Sequence, residues 1–255
     1  MQPPVPPVIP FDRETARLRA IYARRNSSLS EGRYSYFNQG NLFLIQERER
    51  KVLRLLERYR LTPLKEKSIL EVGCGDGLWL REFVKWGACP ENLAGIDLLP
   101  ERIATARRLS PSGVTFSCGN AQRLEFEDSS FDIVMQSTLF TLIRGHQDRR
   151  QVALEMMRVA KKNGVIFWYD YFLNPRNRDA QAVGRKEIHE HFSGCRVDLY
   201  RTTLAPPLAR LVAPYSWLAC SFLSQIPWLC GHYFGVIQRN GAACELEGGH
   251  KGFTS

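Results

Sequence analysis

The stretch that most constrains this chain is Ser68–Gly77, SILEVGCGDG. Ile69 to Val72, apolar apart from Glu71, runs into Gly73, Gly75 and Gly77 at alternate positions, and Leu78 then opens a helical pattern, LWLREFVKWG. The pattern predicts a buried strand, a tight turn and the first turn of a helix. Glycine lets such a turn take positive φ and leaves room for a ligand against the main chain. The helix start adds unpaired N–H groups. Twenty residues after Gly77, a second predicted strand, Leu93–Asp97, ends in a carboxylate. A βαβ nucleotide site places there the acid that holds ribose hydroxyls.

The spacing is E-x-G-x-G-x-G, whereas a dinucleotide fingerprint is G-x-G-x-x-G. An NAD-type dehydrogenase would share the glycine turn and Asp97 but not this spacing. With Glu71 ahead and Asp97 behind, the stretch resembles motif I of class I S-adenosyl-L-methionine-dependent methyltransferases of the type-11 kind. The resemblance implies S-adenosyl-L-methionine as cofactor and S-adenosyl-L-homocysteine as product. It puts Glu71 near the methionine end of the cofactor or gives it the ordering of the glycine loop. Gly73, Cys74, Gly75 and Gly77 would let the backbone approach the amino acid and sugar, Asp97 would accept from the ribose hydroxyls, and Leu98 would flank the adenine. In Cys118-Gly119-Asn120-Ala121, Asn120 stands where relatives usually carry an aspartate. Its carbonyl can still accept from the adenine amino group, without the charge. Gln136, Ser137 and Thr138 would line the methyl-transfer site.

Composition fits one α/β core with an appendage: 255 residues, 44% hydrophobic and 24% charged. Seven scattered cysteines without a C-x-x-C pair argue against a disulfide framework or a zinc site and for a reducing compartment, so a cytoplasmic protein is expected. The formal charge of +9 suits anionic partners, although no Lys/Arg block is long.

In chain order, residues 1–10 read as a proline-rich disordered tail. Residues 11–64 form an N-terminal helical extension, with a basic amphipathic helix over Phe11–Arg25 capped by Asp12 and an apolar stripe of Leu18, Ile21 and Tyr22. The turn-rich Asn26–Asn41 carries Tyr34, Tyr36 and Phe37. The resemblance suggests a lid in which one of them, Tyr34 foremost, covers the sulfonium with an aromatic face. A second helix is predicted over Leu42–Arg60, with Glu47 paired on its surface to Lys51. The methyltransferase-like domain then spans 65–239, and 240–255 reads as a flexible tail.

Within it, strands at 68–72, 93–97, 114–118, 131–136 and 165–169 alternate with helices. That predicts a doubly wound, mostly parallel sheet with ligands at the carboxyl ends of its strands. Cys195–Leu204 and Tyr233–Gln238 add two more. The resemblance makes these a reversed terminal β-hairpin on a seven-stranded Rossmann-like methyltransferase sheet. Between them lies an apolar insertion, 206–231, charge-free from Leu211 to Gly231. Pro214, Pro227 and its serines make it a poor membrane span. It could cover the acceptor pocket, touch a membrane or lipid-linked substrate at the periphery, join a homodimer, or pack as a plain helix on the sheet edge. Asn174–Phe192 and Thr203–Pro214 are similar to the C-terminal half of type-11 methyltransferases tied to polysaccharide or secondary-metabolite pathways.

Methyl transfer needs alignment and desolvation first, and a base only where the acceptor must lose a proton. His146, Tyr169 and Asp170, at the ends of the fourth and fifth strands, are the catalytic candidates. His189 and His191 stand two apart on a predicted helix with Glu187 and Glu190, a spacing that separates the imidazoles, so no metal is expected. Strand four ends in Gln-Ser-Thr-Leu rather than Asn/Asp-Pro-Pro-Tyr/Phe, which disfavours nucleic-acid amines. The sequence therefore points to transfer onto a small-molecule, saccharide or lipid-linked acceptor, at oxygen by preference. An RNA methyltransferase and a non-catalytic cofactor-binding partner subunit are the alternatives.

Overall fold

A computed structural model describes residues 11–28, 32–172 and 181–240. The two expected tails, at 1–10 and 241–255, lie outside the described residues, as do 29–31 of the expected lid and 173–180 of the stretch before the sixth strand. The side chain of the expected cap Asp12 does too.

Seven strands form one sheet in the order β3-β2-β1-β4-β5-β7-β6. They are β1 (Ile69–Val72), β2 (Leu93–Asp97), β3 (Thr115–Cys118), β4 (Phe131–Ser137), β5 (Ala160–Tyr171), β6 (Cys195–Leu204) and β7 (Cys230–Arg239). β1 to β5 pair in parallel, and β7 runs antiparallel to both β5 and β6. This is the doubly wound sheet with a reversed hairpin that the sequence led us to expect. The chain order reverses between β1 and β4, where an open α/β sheet leaves its crevice.

The helices are α1 (Phe11–Ser28), α2 (Gln39–Arg58), α3 (Leu78–Lys85), α4 (Pro100–Leu109), α5 (His146–Val159), α6 (Arg185–His191), α7 (Pro206–Val212) and α8 (Trp217–Leu223). Strand side chains alternate between two cores. Ile69, Ile133, Val165 and Phe167 join Trp79, Leu80 and Phe83 of α3 on one face. Leu70, Val134, Ile166 and Trp168 meet Val152, Met156 and Val159 of α5 on the other. A third cluster is local: Phe43 and Leu44 of α2 pack on Leu204, Ala209, Ala213 and Cys220, which ties the insertion to the N-terminal extension.

The structure bears on two further sequence expectations, the insertion and the Glu47 pair. The apolar insertion folds as two short helices, α7 and α8, and no helix among the described residues is long and apolar enough to cross a membrane. Glu47 does not serve a surface pair with Lys51. Its two carboxylate oxygens accept from the Thr203 and Leu204 backbone N–H groups, at 3.0 and 3.1 Å. Lys51 instead lies 4.0 Å over the Tyr200 ring. A buried pair of amides at the end of β6 offers more to a carboxylate than one half-buried ammonium does.

Phe167 is fully buried and meets Phe234 edge-on, ring centroids 5.5 Å apart. Phe167→Ala should cost about 3–5 kcal/mol of unfolding free energy, read as a shift in urea midpoint with an unchanged slope.

Candidate functional site

At the carboxyl ends of β1, β2 and β4 lies a cavity of about 270 Å³, near the lower end of small-molecule sites. Its floor is the glycine loop. Gly75 takes φ +54° and its N–H donates to Asp97 Oδ2 at 2.9 Å. Asp97 Oδ1 accepts from Leu99 N–H at 3.0 Å. An ionised carboxylate accepts about four hydrogen bonds, so each oxygen keeps a lone pair for a ligand after fixing the loop on one side and the entry to α4 on the other.

Glu71 is buried, and its Oε2 has no hydrogen-bond partner. Burial, with the charges of Asp76 and Asp97 nearby, holds its carboxyl well above the usual range. A cationic donor placed beside it would lower that cost. Arg102, against Gly75 in the lining, supplies positive charge, its guanidinium 4.6 Å over the Tyr22 ring.

Of the residues expected from sequence, Glu71, Gly73, Cys74, Gly75, Asp97, Leu98, Asn120 and Ala121 line the cavity together, with Ser137 and Thr138. The Asn120 side-chain carbonyl accepts from Gln122 N–H at 2.9 Å, so it shapes the loop and keeps one lone pair outward. The others sit elsewhere. Gly77 lies behind the wall at the start of α3, with φ +76°, where a Cβ would press on the Phe116 ring. Gln136 is buried and accepts from Leu139 N–H at 3.0 Å, holding the turn after β4.

The three catalytic candidates are outside the wall as well. His146 points from the first turn of α5 toward α6, with Nε2 3.3 Å from Glu190 Oε2. The Tyr169 hydroxyl is buried 2.9 Å from Thr203 Oγ1, and its ring stacks on His232. Asp170 is fully buried and accepts from Thr141 N–H at 3.1 Å and Tyr171 N–H at 2.9 Å. It anchors the Phe140–Leu142 turn whose Leu142 does line the cavity. Tyr34 is 63% exposed beside the start of α2, where its carbonyl accepts from Asn41, and does not reach the cavity.

The N-terminal wall comes instead from Glu14, Leu18 and Tyr22 of α1 and Arg48 of α2. Arg17 donates to the Leu142 carbonyl at 2.6 Å, and Arg19 pairs with Glu101 at 2.7 Å, so α1 is tied to both sides of the cavity. The Leu18–Tyr22 stripe was legible, but nothing in the sequence says which surface a short amphipathic helix will cover. Arg48 lies about 6 Å over the Trp79 and Tyr169 rings. Its Nε reaches the Leu44 carbonyl at 3.4 Å. Among the described residues its guanidinium has no carboxylate partner. Asp148, also in the wall, has its carboxyl pushed up by burial.

The α6 helix places its two histidines differently. His189 is exposed, but His191 is buried and joins His146 and Glu187, the three offering ligand atoms within 4.8 Å of one another. The tertiary fold brings in His146, which helix spacing alone could not show. Arg149, 2.7 Å from Glu187, already gives that carboxylate its counter-ion.

Residues 70–168 match the family model described as a methyltransferase domain. Among curated relatives, the 2-methyl-6-phytyl-1,4-hydroquinone methyltransferase of Synechocystis is 33% identical over 109 residues, covering 41% of this chain and 32% of that protein. The chain thus spans well under half the length of the first curated relatives it matches. Among solved structures, an S-adenosylmethionine-dependent methyltransferase from Mesorhizobium loti aligns with TM-score 0.53 at 16% identity, over 73% of this chain and 96% of that one. Magnesium protoporphyrin IX methyltransferase from Synechocystis, with bound SAH, aligns with TM-score 0.55 at 12% identity, over 88% and 93%. At such identities the structural likeness shows the fold, and S-adenosylmethionine is the cofactor that goes with this domain.

Burial pushes the Asp170 carboxyl up to about 7. Between its ordinary value and about 7 the folded state holds a proton that the unfolded state has lost, so stability falls as pH rises through that window. Asp170→Asn removes the dependence. The stability difference, wild type minus Asp170→Asn, should therefore decline between about pH 4 and pH 7 and then level off, measured by urea titration at several pH values.

Proposed function

Because residues 70–168 match a methyltransferase-domain family model, we propose that the protein is a class I S-adenosylmethionine-dependent methyltransferase that transfers a methyl group to a small-molecule, saccharide or lipid-linked acceptor, at oxygen in preference to nitrogen or carbon. The observation that carries the reading is one wall holding two differently prepared carboxylates. Asp97 is fixed by two amides with lone pairs to spare, and Glu71 is buried with one oxygen unpartnered. The first suits a pair of ribose hydroxyls. The second suits an ammonium, whose approach would relieve the cost of a buried charge. Bound S-adenosylmethionine supplies an electrophilic methyl group on a sulfonium centre.

The chain's own contribution is binding, orientation and exclusion of water. Leu98 and Ala121 offer apolar surface near Asp97, while Leu18 and Tyr22 close the cavity from the N-terminal side. Arg48, held over two aromatic rings without a carboxylate partner among the described residues, is suited to a carboxylate. With His146, Tyr169 and Asp170 outside the wall, a proton from a hydroxyl acceptor would go to a cavity carboxylate; burial raises the proton affinity of two, Glu71 and Asp148, and with Glu71 facing an ammonium Asp148 is the one left for the acceptor. The end of β4, Gln136-Ser137-Thr138-Leu139, supports a hydroxyl acceptor over a nucleobase amine.

Calorimetry with S-adenosylmethionine tests the site. Asp97→Ala should weaken binding about 10- to 150-fold, the equivalent of roughly 1.5–3 kcal/mol for hydrogen bonds to a charged group. Failure of the wild type to bind, with no cofactor co-purified, would sink the reading. Binding without turnover on any acceptor would make the chain a cofactor-binding subunit instead. Arg48→Gln should weaken the same binding by about tenfold at unchanged thermal stability. An unaffected cofactor affinity would assign Arg48 to the acceptor.

A further inference from the structure

The insertion between β6 and β7 presents an unusual surface. Tyr215, Leu218, Phe222 and Trp228 are 88%, 83%, 71% and 84% exposed. They are not side chains left over from poor packing, because the segment beneath them is firmly held. Ala209, Ala213 and Cys220 are buried against Phe43 and Leu44 of α2. Trp217 meets Phe43 edge-on at 5.8 Å and donates from Nε1 to Gln39 Oε1 at 3.1 Å. Ser216 caps α8 by accepting from Ala219 N–H at 3.1 Å. Leu218 and Phe222, four apart on α8, share one helix face.

The adjoining start of α2 continues this surface. Gly40 touches the Arg210 backbone so closely that a Cβ there would collide with it, and Phe37, two residues before α2, is 95% exposed. The charge pattern is as telling as the apolar one. No Asp or Glu occurs from Gly32 to Gln46 or from Leu199 to Gln238, yet these segments carry Arg33, Arg201 and Arg210. The insertion also leaves the sheet at Leu204 and returns at Cys230, close to the His232–Tyr171 pair at the carboxyl end of β5. The ligand cavity opens at that same end of the sheet.

We propose that this face docks the protein onto an anionic lipid bilayer, with Phe37, Leu218, Phe222 and Trp228 entering the headgroup region and the flanking arginines meeting lipid phosphates. Aromatic side chains favour the interfacial zone of a bilayer. Apolar insertion and basic attraction together give the two signals that stable surface binding requires. A second copy of the chain fits less well. A symmetric dimer through this face would bring arginines against arginines with no acid in either segment to answer them.

The test uses the full chain and vesicles of phosphatidylcholine, alone or with about 30% phosphatidylglycerol. The wild type should sediment with the mixed vesicles, and should bind at least about tenfold more weakly to the neutral ones and at about 0.5 M salt. The double variant Phe222→Ser, Trp228→Ser should bind the mixed vesicles about tenfold or more weakly, with unchanged melting temperature and cofactor affinity. Unchanged cofactor affinity keeps this result separate from any failure of the methyltransferase reading. A wild type that stays in the supernatant, or a double variant that binds as well as wild type, overturns the proposal. So does a concentration-dependent dimer in sedimentation velocity that these substitutions abolish, since it would assign the face to a second copy.

Discussion

The bond pair that fixes the site is the one made by Asp97. Its carboxylate takes a backbone N–H from the loop after β1 and another from the start of α4, so two crossovers meet at one side chain. Pairing of β1 with β2 brings the strand ends together, but pairing alone leaves the loops beyond them free. A hydrogen-bond-accepting group shared by both loops removes that freedom. It does so in front of a cavity, where the remaining lone pairs face a ligand. Structure and recognition use the same atoms, and the fold around the glycine loop follows from that economy.

A second layer of residues holds the other wall. Gln136 and Asp170 are buried polar side chains whose partners are backbone amides of the turn following β4. Tyr169 stacks on His232, whose ring burial and the nearby Arg48 hold down to a pKa of about 3, so the stack is of two neutral rings. The groups that looked most like catalysts at the ends of β4 and β5 thus form the frame, and the cavity receives what they position.

Much of this was legible in the sequence, and the rest was not for definite reasons. Strand alternation, the glycine turn and the distance to Asp97 are local periodicities, and the structure follows them. Eight of the residues expected to bind cofactor line one cavity because their places are set by strand ends. Tyr34, His146, Tyr169 and Asp170 failed to appear there because a residue's depth and direction depend on packing. The burial of Asp170 arises from the turn folded over it, and His146 is drawn to α6 by contacts 44 residues away in sequence. Tyr22 and Arg48 were invisible as site residues because the docking of α1 and α2 is a tertiary event. A stripe at helical spacing shows that a helix has a buried face without naming the surface it meets.

The attachment of α1 has a thermodynamic consequence. It lies over the cavity through an arginine-to-carbonyl bond, one exposed ion pair and the stacking of Arg102 on Tyr22, while Glu14, Leu18 and Tyr22 form part of the cavity wall. A ligand that fills the cavity touches this helix, so occupancy and helix docking are linked equilibria with one coupling energy. Whatever loosens α1 must weaken the ligand by the same factor that the ligand steadies α1. A helix held by polar contacts and by the buried Ile21 is thereby part of the affinity of the site.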